Sequence, residues 1–81
     1  MVTSRQIRAA RALALLGQIE LAERAGIGVA TLRRIEASID EVTGTAQSLF
    51  RIQRALEEAG IVFIEQDGSS GPGVRLRDRI P

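Results

Sequence analysis

The stretch GQIELAERAGIGVATLRRIE, residues 17–36, decides the fold. Over 18–25 the apolar residues Leu21, Ala22 and Ala25 fall at i, i+1 and i+4, on one face of a short helix. Gly26 follows where a left-handed C-cap residue belongs, a conformation glycine adopts without steric cost. Gly28 then stands at the N-cap of another helix, predicted over 29–37, with Leu32 and Ile35 facing inward. The outward positions of that helix are Val29, Ala30, Arg33 and Arg34, with Thr31 at the edge.

Working outward, Ile7, Ala10, Leu13 and Ala14 recur at helical spacing and predict a first helix over 4–16, with Thr3 or Ser4 able to cap it. A fourth helix is predicted over 45–59, where Ala46, Leu49, Phe50, Ile52, Leu56 and Ala59 make a broad apolar stripe and Gly60 closes the end. The period then changes. IVFIE (61–65) is β-branched and aromatic, and in GVRLR (73–77) Val74 and Leu76 alternate with Arg75 and Arg77, so both read as short strands. The GSSG between them is a loop, since a phosphate-binding glycine loop would lead into a helix. The chain divides into a helical part, 1–60, and a C-terminal strand pair with a short tail, 61–81.

At 81 residues the chain is one domain whose core is too small to enclose a large substrate cleft. It has no cysteine and no histidine, so thiolate zinc sites, disulfides, cysteine nucleophiles and histidine bases are excluded. No constellation of the remaining Ser, Thr, Asp and Glu suggests an enzyme, and none calls for a metal or cofactor. The net charge is only +1, yet its distribution is uneven. Residues 1–36 hold six arginines against three glutamates, whereas 37–50 hold Asp40 and Glu41 and no base. A positive first half can meet phosphate, and the acidic segment would oppose it. The N-terminal residues are Arg-rich with no acid before Glu20, but their longest uncharged run, ALALLGQI, is weak as a secretory core. No span approaches the ~20 apolar residues that cross a membrane. The expectation is a cytoplasmic, bacterial protein.

Two short helices joined at an angle through a glycine turn are the arrangement that presents the second helix to the DNA major groove. With Gln18 opening one helix, Leu21 and Ala22 three and four residues on, Ala25 and Gly26 at the turn, and Thr31, Leu32, Ile35 and Glu36 on the next helix, the stretch resembles the helix-turn-helix of the Xre/Cro group of phage-repressor-like regulators. With the first and fourth helices the resemblance covers residues 3–59. It implies a mainly α, four-helix repressor-like domain, here with a C-terminal β-hairpin or dimerising strands in place of a fifth helix. It further implies that Val29, Ala30 and Arg34 approach base edges, that Gln18 and Thr31 approach phosphates, and that Glu36 pairs with Arg11 on the first helix. Glu36 sits near a helix C-terminus, where the dipole disfavours a carboxylate, so a cationic partner is expected on physical grounds too.

Arg34 can bind guanine O6 and N7 in a bidentate way, at about 1–3 kcal/mol of discrimination, while Arg33 suits a phosphate as well as a base. Val29 and Ala30 can only pack on thymine methyls or permit close approach. Backbone N–H groups beside Gln18 and at Gly28 can receive a phosphate. Three features differ from the family pattern: Gly17 and Gly28 stand where Ser or Thr is usual, SIDEVTGTAQ brings two acids and no base, and strands replace the fifth helix.

An isolated hairpin is marginal because both edges are open. Either the strand pair packs within the chain on the fourth helix, or the chain is a homodimer through IVFIE, Ile61 through Glu65, and GVRLR, Gly73 through Arg77. A dimer would set two recognition helices roughly 34 Å apart over a palindromic site. The expected function is a sequence-specific, double-stranded-DNA-binding transcriptional regulator, most simply a repressor. The alternative is a protein-interaction adaptor or antitoxin-like module that keeps the shape but has little DNA affinity.

Overall fold

A computed structural model of the chain describes residues 1–39 and 44–81. It is mainly helical, with α1 (Ser4–Ala14), α2 (Gln18–Ala25), α3 (Val29–Ala37) and α4 (Ala46–Glu58) followed by β1 (Ile61–Ile64) and β2 (Gly73–Leu76). No helix among the described residues is long and apolar enough to cross a membrane.

Each helix starts and stops for a local reason. Thr3 caps α1: its hydroxyl accepts from the Gln6 N–H at 3.1 Å while Gln6 Oε1 accepts from the Thr3 N–H at 2.9 Å, a reciprocal capping box. Ser4 is then the first helical residue, not the cap. α1 ends at Ala14, short of the predicted 16, because Leu15 adopts the left-handed conformation (φ 58°) and turns the chain. A bulky residue there costs on the order of 1 kcal/mol. The turn sends Leu15 into solvent and Leu16 into the core. Leu13, expected on the inward face, is 40% exposed, outside the buried face made by Gln6, Ile7 and Ala10.

The core gathers Ile7 and Ala10 of α1, Leu21, Ala22 and Ala25 of α2, Leu32 and Ile35 of α3, and Leu49, Ile52, Ala55 and Leu56 of α4. Ala22 is nearly sealed, as a small residue at a close helix crossing should be. On α4 the predicted stripe proves too broad. Leu49, Ile52 and Leu56 are buried, but Ala46 is exposed and Phe50 is 61% exposed, because α4 turns only one face to the core. Gly44, ahead of α4, has φ 104°, and a Cβ there would lie 2.9 Å from the buried Ile35 Cδ1, so any other residue would be strained and would press on the core.

The two strands pair antiparallel within the chain, in the register Ile61↔Leu76, Val62↔Arg75, Phe63↔Val74 and Ile64↔Gly73. Of the arrangements open to the sequence, this is the intrachain hairpin. It rests on α1 as well as on α4, with Ile61 buried and Phe63, Val74 and Leu76 half-buried against the core. Gln6 explains the attachment to α1. Besides its role in the capping box, its Nε2 donates to the carbonyls of Ile64 (3.2 Å) and Gly73 (3.0 Å), tying the start of α1 to both strands. At the hairpin tip, backbone N–H groups of Ser69 and Ser70, with the Ser69 hydroxyl, hold the Asp67 carboxyl below the usual carboxylate range.

Candidate nucleic-acid interface

Gly26 joins α2 to α3 in the left-handed conformation (φ 70°, ψ 34°), its N–H returning to carbonyls of the last turn of α2. Gly28 caps α3 in extended backbone, and Gly17 caps α2 likewise; neither supplies a side-chain hydrogen bond. The first-turn N–H groups of both helices are therefore open to an external acceptor.

The expected site residues fall into three groups. Ala30, Arg33 and Arg34 are exposed on one side of α3, and Gly28 is exposed just ahead of it. Thr31 is half-buried at the edge. Val29, expected to face outward, is also half-buried and packs against the core, which shortens its reach from the surface.

Behind this face, Glu36 is buried and gripped by Arg11 from α1: Nε donates to Oε2 and Nη2 to Oε1, both at 3.0 Å. Arg11 Nη1 also donates to the Leu16 carbonyl at 3.2 Å. Gln18 extends the network, for its Nε2 donates to Glu36 Oε1 at 3.1 Å while its Oε1 accepts from Arg33 Nε at 3.3 Å. The Gln18 amide, expected at a phosphate, thus ties the start of α2 to α3 and orients Arg33.

Further residues that hold α3 were not anticipated. Ser4 Oγ donates to the Ile35 carbonyl at 2.6 Å in a buried contact. Arg8 Nη1 donates to the carbonyls of Glu36 and Ser38, the latter at 2.9 Å, and Arg5 Nε donates to the Ile39 carbonyl at 3.2 Å. Ser4 and Arg8 sit at i and i+4 on α1, with Arg11, the expected partner of Glu36, at i+7; the spacing is visible in the sequence, but without the crossing of α1 over α3 Ser4 and Arg8 read only as a cap and charge.

This sorting changes the electrostatics. Arg5, Arg8 and Arg11 serve the C-terminal end of α3, Arg24 pairs with Glu20 at 3.1 Å, and Arg33 leans on Gln18. Arg34 alone of the arginines in the first half makes no hydrogen bond or ion pair among the described residues, and it is exposed. Asp40 and Glu41, expected to oppose phosphate, lie outside the described residues. No group of acidic residues among those described can hold a metal ion. Compared with known proteins, the chain matches no protein-family model and no curated protein.

Proposed function

We propose that the chain is a sequence-specific, double-stranded-DNA-binding transcriptional regulator of the helix-turn-helix type, most simply a repressor acting by occupancy. In this reading α2 lies over the phosphate backbone and α3 enters the major groove. The observation that carries it is Arg34, an exposed guanidinium in the last turn of α3 with no hydrogen bond or ion pair among the described residues, on the end of the helix that α1 holds in place. Such a donor fork is available for a guanine edge, and Arg33, held by one contact to Gln18, keeps donors for a phosphate. Uncapped N–H groups at the starts of α2 and α3 favour anions in the same place.

We further propose a homodimer through the hairpin. Since β1 and β2 pair with each other, the association would use an outer strand edge or the outward face, where Val62 and Ile64 are partly exposed. The reading assigns no catalytic role and needs no cofactor. A cytoplasmic, nucleoid-bound protein follows from it.

The test is selection of bound duplexes from a random pool at near-physiological salt, run on wild type and on Arg34→Ala. The wild type is expected to recover an inverted repeat, and the variant to lose about 1–3 kcal/mol of discrimination at one position in each half-site. Affinity should fall steeply with salt, one phosphate contact at a time. Failure to enrich any sequence would overturn the reading and favour the adaptor role.

A further inference from the structure

We propose that the shallow groove between α2 and α4 docks an acidic peptide segment of a partner protein, one with a large apolar residue flanked by carboxylates. The groove, about 340 Å³, is bounded by Arg24 on α2 and by Phe50, Arg51, Arg54 and Glu58 on α4. One lining residue is unusual. Phe50 is one of only two aromatic residues in the chain, and it is 61% exposed on the side of α4 turned away from Leu49, Ile52 and Leu56.

Three guanidinium groups and one carboxylate line the groove with that ring, so the lining carries a net positive charge that favours anions. Among the described residues, two of the arginines are engaged only with exposed acids one turn away, Arg24 with Glu20 at 3.1 Å and Arg54 with Glu58 at 3.5 Å. Pairs of this kind are worth little and exchange readily for another carboxylate. Arg51 spends one nitrogen on the Gly26 carbonyl at 3.3 Å, which holds its fork at the groove's edge. The ring is what separates a peptide from a duplex as occupant. A duplex backbone satisfies the arginines but offers an exposed phenylalanine little beyond sugar edges, whereas an apolar side chain between carboxylates meets both, in the pattern of a buried anchor inside a polar rim.

The groove is also separate from the α3 face. None of the outward residues of α3 lines it, and Arg24 stands six residues along α2 from Gln18, about 9 Å at the helical rise. The inference therefore stands independently of the DNA reading.

The experiment is a random-peptide display selection on the full chain, followed by anisotropy with dye-labelled copies of the enriched peptides. Peptides with acidic residues on both sides of a large apolar one are expected. Their affinity should fall about tenfold or more in Phe50→Ala and in Arg54→Glu, weaken with salt, and stay unchanged in Arg34→Ala. Both groove residues are exposed, so unchanged far-ultraviolet dichroism and melting would show that the variants are folded. The proposal is overturned if no peptide is enriched, or if the enriched peptides bind both variants as they bind wild type. It is equally overturned if Arg24→Gln and Arg54→Gln weaken duplex binding while no peptide is selected, which would make the groove a phosphate contact.

Discussion

The two ends of α3 are held in opposite ways. At the C-terminal end, α1 lays a row of donors, Ser4, Arg5, Arg8 and Arg11, on the carbonyls of Ile35, Glu36, Ser38 and Ile39 and on the Glu36 carboxylate. At the N-terminal end there is only Gly28, with no side-chain cap. The first arrangement places cations at the negative pole of the helix and gives donors to carbonyls at and just beyond its end. The second leaves the positive pole open. Because α1 takes the buried side of the C-terminal end, the grip leaves both the first-turn N–H groups and the outward side chains Ala30, Arg33 and Arg34 uncovered. The contrast also shows that a tally of arginines overstates the free positive charge, since those of α1 serve the fold.

The largest expected break in this contrast is at Glu36. Replacing Arg11 with alanine leaves a buried carboxylate with Gln18 as its remaining side-chain donor, and a loss of about 3 kcal/mol in urea unfolding is expected. Arg33→Ala removes a single exposed contact and should stay within about 0.5 kcal/mol of wild type. Equal effects from the two substitutions would mean that the C-terminal grip contributes nothing special.

The next effect isolates Arg8. Its one nitrogen serves two carbonyls, one in the last turn of α3 and one just beyond it, so Arg8→Ala should cost about 2 kcal/mol, the range for a charged donor lost from a part-buried site. In a domain of this size that lowers the melting temperature by roughly 10 °C. Arg8→Lys keeps the charge but not the planar fork and should fall between the two. A lysine variant as stable as wild type would show that charge at the helix pole, not the shared hydrogen bonds, is the source of the effect.

Helix positions and the turn at Gly26 were legible because apolar spacing and glycine carry them locally. The grip on α3 was only half legible. Glu36 signalled its need for a cation by its place near a helix end, and the resemblance pointed to Arg11, but Arg5 and Arg8 looked like solvated charge because nothing local tells where α1 crosses α3. Gln6 was hidden for the same reason: two of its partners, Ile64 and Gly73, lie 58 and 67 residues away. Phe50 failed in the other direction. Its spacing fits the stripe of α4, and only the finite width of the core excludes it.

The smallest effect acts at the open end of α3. Gly28 has φ −71° and ψ 143°, which any residue adopts, and a Cβ there would meet only Thr31 Oγ1, at 3.9 Å. Gly28→Ser therefore adds an acceptor for the first-turn N–H groups and removes glycine's freedom in the unfolded chain, for a gain of about 0.5–1 kcal/mol. The gain should appear as a higher urea midpoint and as slower amide exchange in the first turn of α3, with exchange around Ser38 unchanged. The position of the change matters as much as its size. Slower exchange along the whole helix would mean that α3 opens as one unit and that its two ends are not independently held. No gain at all would mean that the N-terminal end is already satisfied, and with it would go the reason to expect an anion there.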